Sequence, residues 1–539
     1  MRKIVECVPN ISEGRDEKII NACADAVRAV EGVTLLDFDP GKSTNRTVFT
    51  FVGDPDAVVE AAFQFTKTAY ELIDMTKHSG AHPRMGAVDV CPFVPVAGVT
   101  TEDCVECSKK FGKRVGEELG LPVYLYEEAS TNPARKALKQ IRQGEYEGIK
   151  DRIIKPEWKP DFGPQEFNPR FGAMVTGARF FLIAYNVNIL GTKEQAHRIA
   201  LNIREQGRGP NEPGRLKAIK AIGWYVDEYN MAQVSINLDN YTITPPHIVF
   251  EECVKDAKVL NLAAAGSELV GLIPLEAMLM AAEYYIKKEN LFIVDEKQKI
   301  RLVVERLGLN SVSPFNPEKR IIEYMIAEGG SEPLASMSVR SFVELVGARS
   351  SAPGGGSVSA LIASMGAGLG AMMGWMSYGT KKFEHLDADM RKLIAPLHVN
   401  MKKLIPMIDA DTNAFNDYMT AMKLPKDTEE QKKLRTGLMQ DGLKKAINVP
   451  LGVMRTADEC WPYMIELAKI GNASSASDLA VGAKSLETGI WGAMKNVEIN
   501  MGQIDDEKYK TAVLKEAGEI MKHAEKNLAE VEKILNGRN

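Results

Sequence analysis

Residues 350–380 read SSAPGGGSVSALIASMGAGLGAMMGWMSYGT, and the fold turns on them. The stretch has no charged residue, and 358–376 spans nineteen residues, close to the length that crosses a bilayer. Ten of those nineteen are Gly, Ala or Ser, which argues against a lone membrane span. Gly366, Gly370 and Gly374 fall four apart, so a second helix can approach closely on that side. The segment reads as a packing helix inside a helical domain, with no membrane span.

Outward from it, the C-terminal third keeps one character. Sixteen of the 24 methionines fall in the last 209 residues. Apolar residues recur at helical spacing: Phe383, Leu386, Met390, Leu393 and Leu397, then Tyr509, Val513, Ala517, Ile520, Ala524, Leu528, Val531 and Leu535. The expected class there is all-α. Upstream, 327–338 (AEGGSEPLASMS) has linker composition.

The first 300 residues alternate differently. Segments 3–8, 33–39 and 47–52 are short and β-branched, and Asp54-Pro55 opens a helical pattern. Strands are expected again at 88–96 and 123–126, with a helix over 101–119. After a Pro- and Gly-rich loop at 156–172 comes an echo: strand 180–187, helix 193–204, strand 233–238, helix 245–260. The expected organisation is α/β for the N-terminal part, as two α/β subdomains at 1–178 and 179–326. A linker at 327–338 and an all-α helical C-terminal domain at 339–539 follow.

With 539 residues the chain is too long for one core. A net charge of -5 excludes the basic field that drives nucleic-acid binding. Seven scattered cysteines suit a reducing compartment, hence a cytoplasmic expectation. The start, MRKIVECVPN, runs directly into a strand-like segment, so no signal peptide is expected. Cys104 and Cys107 form a CxxC with no second pair, and no metal cluster is visible.

Four motifs invite chemistry. Gly41-Lys42-Ser43-Thr44 resembles the end of a phosphate loop, but Leu36 stands where a glycine is required and a strand follows. His78 and His82 have Ser79, Gly80 and Pro83 among them, so they sit in a loop, where a histidine is either structural or placed for acid–base work. Ala352-Pro353-Gly354-Gly355-Gly356-Ser357 is either a flexible turn or a set of N–H groups before a helix. Asp409 and Asp411 lie about 200° apart on a helix. Asp411 shares a side with Phe415, Tyr418 and Met422, where desolvation would keep its proton near neutral pH; otherwise it is a surface or capping residue.

Ile4-Val5-Glu6-Cys7-Val8-Pro9-Asn10-Ile11-Ser12-Glu13-Gly14-Arg15, Ser43-Thr44-Asn45-Arg46-Thr47-Val48, His82-Pro83-Arg84-Met85-Gly86 and Leu190-Gly191-Thr192-Lys193-Glu194-Gln195-Ala196-His197 resemble the formimidoyltransferase domain. Val346-Gly347-Ala348-Arg349-Ser350 with the glycine run, and Asp409-Ala410-Asp411, resemble the cyclodeaminase domain. The order resembles the bifunctional formimidoyltransferase-cyclodeaminase family over essentially the whole chain.

That resemblance implies two reactions. The formimidoyl group of N-formimidoyl-L-glutamate moves to N5 of tetrahydrofolate, and the product then closes to 5,10-methenyltetrahydrofolate with loss of ammonia. It implies a transferase and lyase of histidine breakdown, acting on tetrahydrofolate, polyglutamated, with no metal, in a homo-oligomer built from dimers. The acid–base residues fall on His82 and Asp411. The folate segment falls on Gly163, Pro164, Gln165, Glu166, Phe167, Asn168, Pro169, Arg170, Phe171 and Gly172. Gln165, Glu166, Asn168 and Arg170 vary from the family pattern. Arg46 and Arg84 are candidates for the two glutamate carboxylates, the alternative being internal ion pairs. A relative that binds folate or acts as a scaffold, with one or both sites inactive, is the competing reading. Retention of His82 and Asp411 argues against it.

Overall fold

The computed structural model describes residues 3–42, 44–80, 83–327 and 332–538. His82 and Ser43 lie outside the described residues. Two compact units divide the chain, Met1–Glu328 and Gly329–Asn539.

In the first unit the strands are β1 (Ile4–Cys7), β2 (Asn10–Ile11), β3 (Val33–Gly41), β4 (Arg46–Gly53), β5 (Val88–Ala97), β6 (Val123–Glu127) and β7 (Met174–Ala178). β8 (Ile183–Leu190), β9 (Ile219–Val226), β10 (Met231–Leu238) and β11 (Ala263–Val270) follow. β1 and β2 form one interrupted strand between β4 and β5. The first sheet therefore runs β3-β4-β1/β2-β5, then continues through β7 to β6 by parallel pairing. The second sheet runs β9-β10-β8-β11, all antiparallel.

The echo in the sequence is a repeated topology. In both halves a helix follows the first strand, a hairpin comes next, and a proline-started helix leads to a fourth strand, β5 or β11. The matching helices are Glu17–Arg28 with Lys193–Ile203, and Pro55–Leu72 with Pro246–Val259. Pro55 starts its helix as the sequence reads, with the Asp54 carboxylate accepting from the N–H groups of Asp56 and Ala57. That helix buries Val58, Ala61, Ala62, Phe65 and Ala69, and a fully buried phenylalanine contributes about 2–3 kcal/mol. Ile4, Val52, Val94 and Val96 join Ile183, Val187, Val234 and Ile236 in one core, so the two halves are packed together. What the first half adds is the excursion from β6 to β7, which carries residues 128–173.

One expected strand is displaced. It was read from residue 180, but β8 begins at Ile183. Phe180 and Leu182 are apolar because they face a cleft between the halves, which imitates a strand pattern.

The second unit is helical throughout its described elements. Its centre is the Gly355–Ser377 helix, long and apolar enough to cross a membrane by composition, with 61% of its most apolar window buried inside the unit. It lies against the Ala476–Met501 and Asp387–Leu404 helices. A Cβ on Gly366 would stand 2.7 Å from the Gly482 carbonyl oxygen, so hydrogen-only positions permit the contact. Part of the expected linker belongs to this unit: Leu334 is buried there.

Candidate active sites

Three motif segments from separate parts of the sequence meet at Asn45. The N–H of Gly14 donates to its Oδ1 at 3.0 Å, and its Nδ2 donates to the Ser79 carbonyl at 3.0 Å. The carbonyl of Asn45 is 3.0 Å from His78 Nε2. A carbonyl only accepts, so the His78 proton is on Nε2, which leaves Nδ1 to accept from Arg84 Nε at 3.3 Å. Asn45 can play this part because its backbone sits at φ 50°, a region asparagine tolerates. The segments on either side of residue 82 are thus pinned to the start of the chain.

Arg84 does not wait for a substrate carboxylate. It lies 2.6 Å from Glu147 and 3.1 Å from Glu145. The internal ion pair, the alternative open in the sequence, is what forms. Arg46 lines a cleft of about 510 Å³ with Arg142, Arg179 and Lys220, and with Glu127, Glu128 and Asp239. Burial and the Arg142 cation both push Arg46 downward, against the pull of Asp89 and Asp39. Lys220 is held by Asp239 at 2.7 Å, so the lining mixes both charges. Arg142 is itself held by buried Asp89, whose Oδ1 also accepts the N–H of Met85 at 2.8 Å. A second cleft of about 800 Å³ meets the first at Leu138 and Arg142, and Pro83, the residue after His82, lines it.

The 163–172 loop lies against the same region. Gly86 and Gly172 form a bridge, the Ala87 N–H donates to the Phe171 carbonyl at 2.8 Å, and Phe171 is fully buried. Gly172 needs to be glycine: its φ is 81° and a Cβ would meet the Met85 carbonyl. Gly163, Pro164, Gln165, Glu166, Pro169 and Arg170 are exposed. Gln165 Nε2 donates to the carbonyls of Ile153 and Lys155, Arg170 Nη2 to that of Glu71, and Asn168 Oδ1 accepts from the N–H groups of Arg170 and Phe171. These variable side chains shape the loop. Phe167 is half-buried against Tyr146.

In the helical unit Asp411 stands over the start of the Gly355–Ser377 helix. A Cβ on Gly356 would collide with its carboxylate, so glycine there is what admits it. Ser357 Oγ donates to the Ile408 carbonyl at 2.7 Å and reaches Asp411 Oδ2 at 3.4 Å. Burial pushes the Asp411 carboxyl above its ordinary value, against the N–H and hydroxyl of Ser357, which favour the anion. The glycine run is therefore a seat for a side chain of this protein. Asp409, about 200° away on the same helix, is the more buried of the two. Its oxygens accept the N–H groups of Leu334 and Ala335 at 2.8 and 3.0 Å.

Sequence reasoning missed Asn45, His78 and Asp89 as organising residues, and Arg142 as part of the cleft. Arg142 sits in an irregular stretch with no periodicity to place it. Asn45 lay within a quoted motif, but nothing local marks a hub whose partners are more than 30 residues away.

A family model described as formiminotransferase domain, N-terminal subdomain matches residues 4–179; one described as formiminotransferase domain matches 184–327; and one described as formiminotransferase-cyclodeaminase matches 338–519. The chain is 63% identical over 540 residues to the formimidoyltransferase-cyclodeaminase of Dictyostelium discoideum, covering 100% of both. It is 52% identical to that of Sus scrofa, again over 100% of both. A glutamate formimidoyltransferase of Streptococcus pyogenes serotype M1 is 43% identical over 291 residues, 54% of this chain and 95% of the relative.

Proposed function

The chain belongs to the formiminotransferase-cyclodeaminase family, and we propose here how its own residues serve the two reactions. It is a bifunctional folate enzyme, a glutamate formimidoyltransferase and a formimidoyltetrahydrofolate cyclodeaminase. Tetrahydrofolate is a substrate.

In the transfer, N5 of the folate attacks the amidine carbon of N-formimidoyl-L-glutamate. N5 loses a proton, the carbon–nitrogen bond to glutamate breaks, and the departing nitrogen gains a proton. His82 takes the first proton and returns the second, as an imidazole does near neutral pH. A glutamate carboxylate is received in the cleft that Arg46 lines. The 163–172 loop receives folate, mainly through its backbone, since Gln165, Asn168 and Arg170 are bonded within the protein.

In the cyclisation, N10 closes on the formimidoyl carbon and gives up its proton to the formimidoyl nitrogen. That nitrogen leaves as ammonia only after it takes up a second proton, which Asp411 supplies, and the methenyl cation remains. The single observation that carries this reading is the Asp411 carboxyl, desolvated above Gly356 and Ser357. Neither reaction changes an oxidation state, and proton transfer by these residues is sufficient chemistry without a metal.

We further place the enzyme in histidine degradation, where its amidine substrate arises, in the cytoplasm, and acting on polyglutamated folate. Seven free, buried thiols support a reducing compartment. A homo-oligomer built from dimers is supported by exposed Val481, Trp491 and Ile499 on one helix of the second unit. The test is turnover of the whole chain with N-formimidoyl-L-glutamate and tetrahydrofolate, following glutamate, ammonia and the methenyl product. Release of glutamate and ammonia in equal amounts supports both activities; absence of both leaves the folate-binding or scaffolding relative.

A further inference from the structure

We propose that Arg84 is a positioning residue that clamps the His82-bearing loop to the 163–172 loop. The inference rests on the transferase reading above. Its basis is a connected set of contacts that straddles residue 82. On one side, Arg84 Nε donates to His78 Nδ1, and His78 and Ser79 are bonded to Asn45. On the other, Arg84 Nη1 donates to Glu147 at 2.9 Å and to Glu145 at 3.1 Å, and Nη2 donates to Glu147 at 2.6 Å. All three guanidinium nitrogens are engaged within the protein.

Tyr146, between the two glutamates, extends the clamp. Its ring lies 5.8 Å from the Arg84 guanidinium and 5.5 Å from the Phe167 ring, and its hydroxyl donates to the Pro169 carbonyl. Phe167 and Pro169 belong to the folate segment. One guanidinium thus spans the acid–base loop and the loop that receives the co-substrate. A lysine cannot reproduce this, because a point charge lacks the planar fork.

The glutamates are largely exposed, with side-chain exposures of 42% for Glu145 and 63% for Glu147. Arg84 itself is buried, 8% exposed, so its charge depends on these partners. The clamp acts on geometry, and a misplacement of about 1 Å at a reacting group costs on the order of 100-fold in rate.

The test uses the whole chain, with thermal unfolding of the first unit as the control for its folding and cyclodeamination of pre-formed 5-formimidoyltetrahydrofolate as the control for the second unit. Arg84→Lys and Arg84→Gln should lower transferase kcat at least tenfold and raise KM for tetrahydrofolate. KM for N-formimidoyl-L-glutamate should stay within twofold. Glu147→Gln should show the same pattern more weakly, and combined with Arg84→Gln should add nothing. A tenfold rise in KM for N-formimidoyl-L-glutamate with kcat preserved would make Arg84 a carboxylate ligand and overturn the proposal. So would wild-type kinetics in Glu147→Gln, or additive losses in the double variant. If Arg84→Gln fails to fold, the mostly exposed Glu147→Gln decides alone. An unmodified chain without transferase turnover would instead sink the transferase reading.

Discussion

Two buried carboxylates show how a single residue can be read and misread. Glu6 in β1 is 3% exposed and lines a cleft with Arg179. Burial raises its carboxyl from 4.5 to about 7, although the Arg179 cation works against this. The folded state therefore binds this proton more tightly than the unfolded chain does. The stability so gained is complete below about pH 4.5 and is lost as pH rises through about 7. Glu6→Gln should remove that loss, stabilising the first unit by about 3 kcal/mol at pH 9 relative to pH 4. Urea unfolding at the two pH values checks it; an equal effect at both would mean Glu6 is not buried as an acid. Asp409 carries the opposite lesson. Helical geometry correctly separates it from Asp411, but the side it faces is occupied by the backbone of Leu334 and Ala335. Asp409→Asn presents an N–H where an acceptor is needed and should cost about 1–3 kcal/mol. Calorimetry reads this as a lowered melting temperature of the second unit, with per-molecule cyclodeaminase activity largely kept below it. An unchanged melting temperature would show that these bonds carry no stability.

At the scale of elements, local signals served well where local forces decide. Asp54-Pro55, the β-branched segments before 100 and the helical spacing of 509–535 gave helices and strands where they occur, because capping and periodic burial act within a few residues. Boundaries failed where tertiary contact overrode pattern. The 180–182 run is apolar for the cleft, and the 332–338 segment is held by Asp409 despite the linker composition of 327–338. A fragment beginning at Gly329 keeps this segment and should melt higher than one beginning at Val339, which leaves Asp409 buried without its partners. The expected difference is about 1–3 kcal/mol. Equal melting temperatures would return 332–338 to the status of a linker.

At the scale of the whole molecule, the family was legible because the motifs are long. His82, Asp411 and the 163–172 segment are proposed from that resemblance, and the contacts around Asn45, Arg142 and Glu147 were not readable in the same way. Asn45, Arg142 and Glu147 act through partners 30 to more than 60 residues away, and no single-chain pattern records such distances. Arg84 stood in a motif for the wrong reason, since its fork is closed by Glu145 and Glu147. The central claim is that one chain performs transfer and then cyclisation, with Asp411 giving its proton to the departing nitrogen. Its most direct test is Asp411→Asn in the whole chain, with glutamate, ammonia and 5-formimidoyltetrahydrofolate measured in one reaction. The substitution keeps size but removes the carboxylic proton. Glutamate should be released at the wild-type rate, ammonia release should fall by a factor of about 10²–10⁴, and 5-formimidoyltetrahydrofolate should accumulate. In the unmodified chain the cyclisation rate should decline as pH rises past the elevated Asp411 value, because the acid is then ionised. Ammonia released as fast by Asp411→Asn as by the wild type would contradict the account.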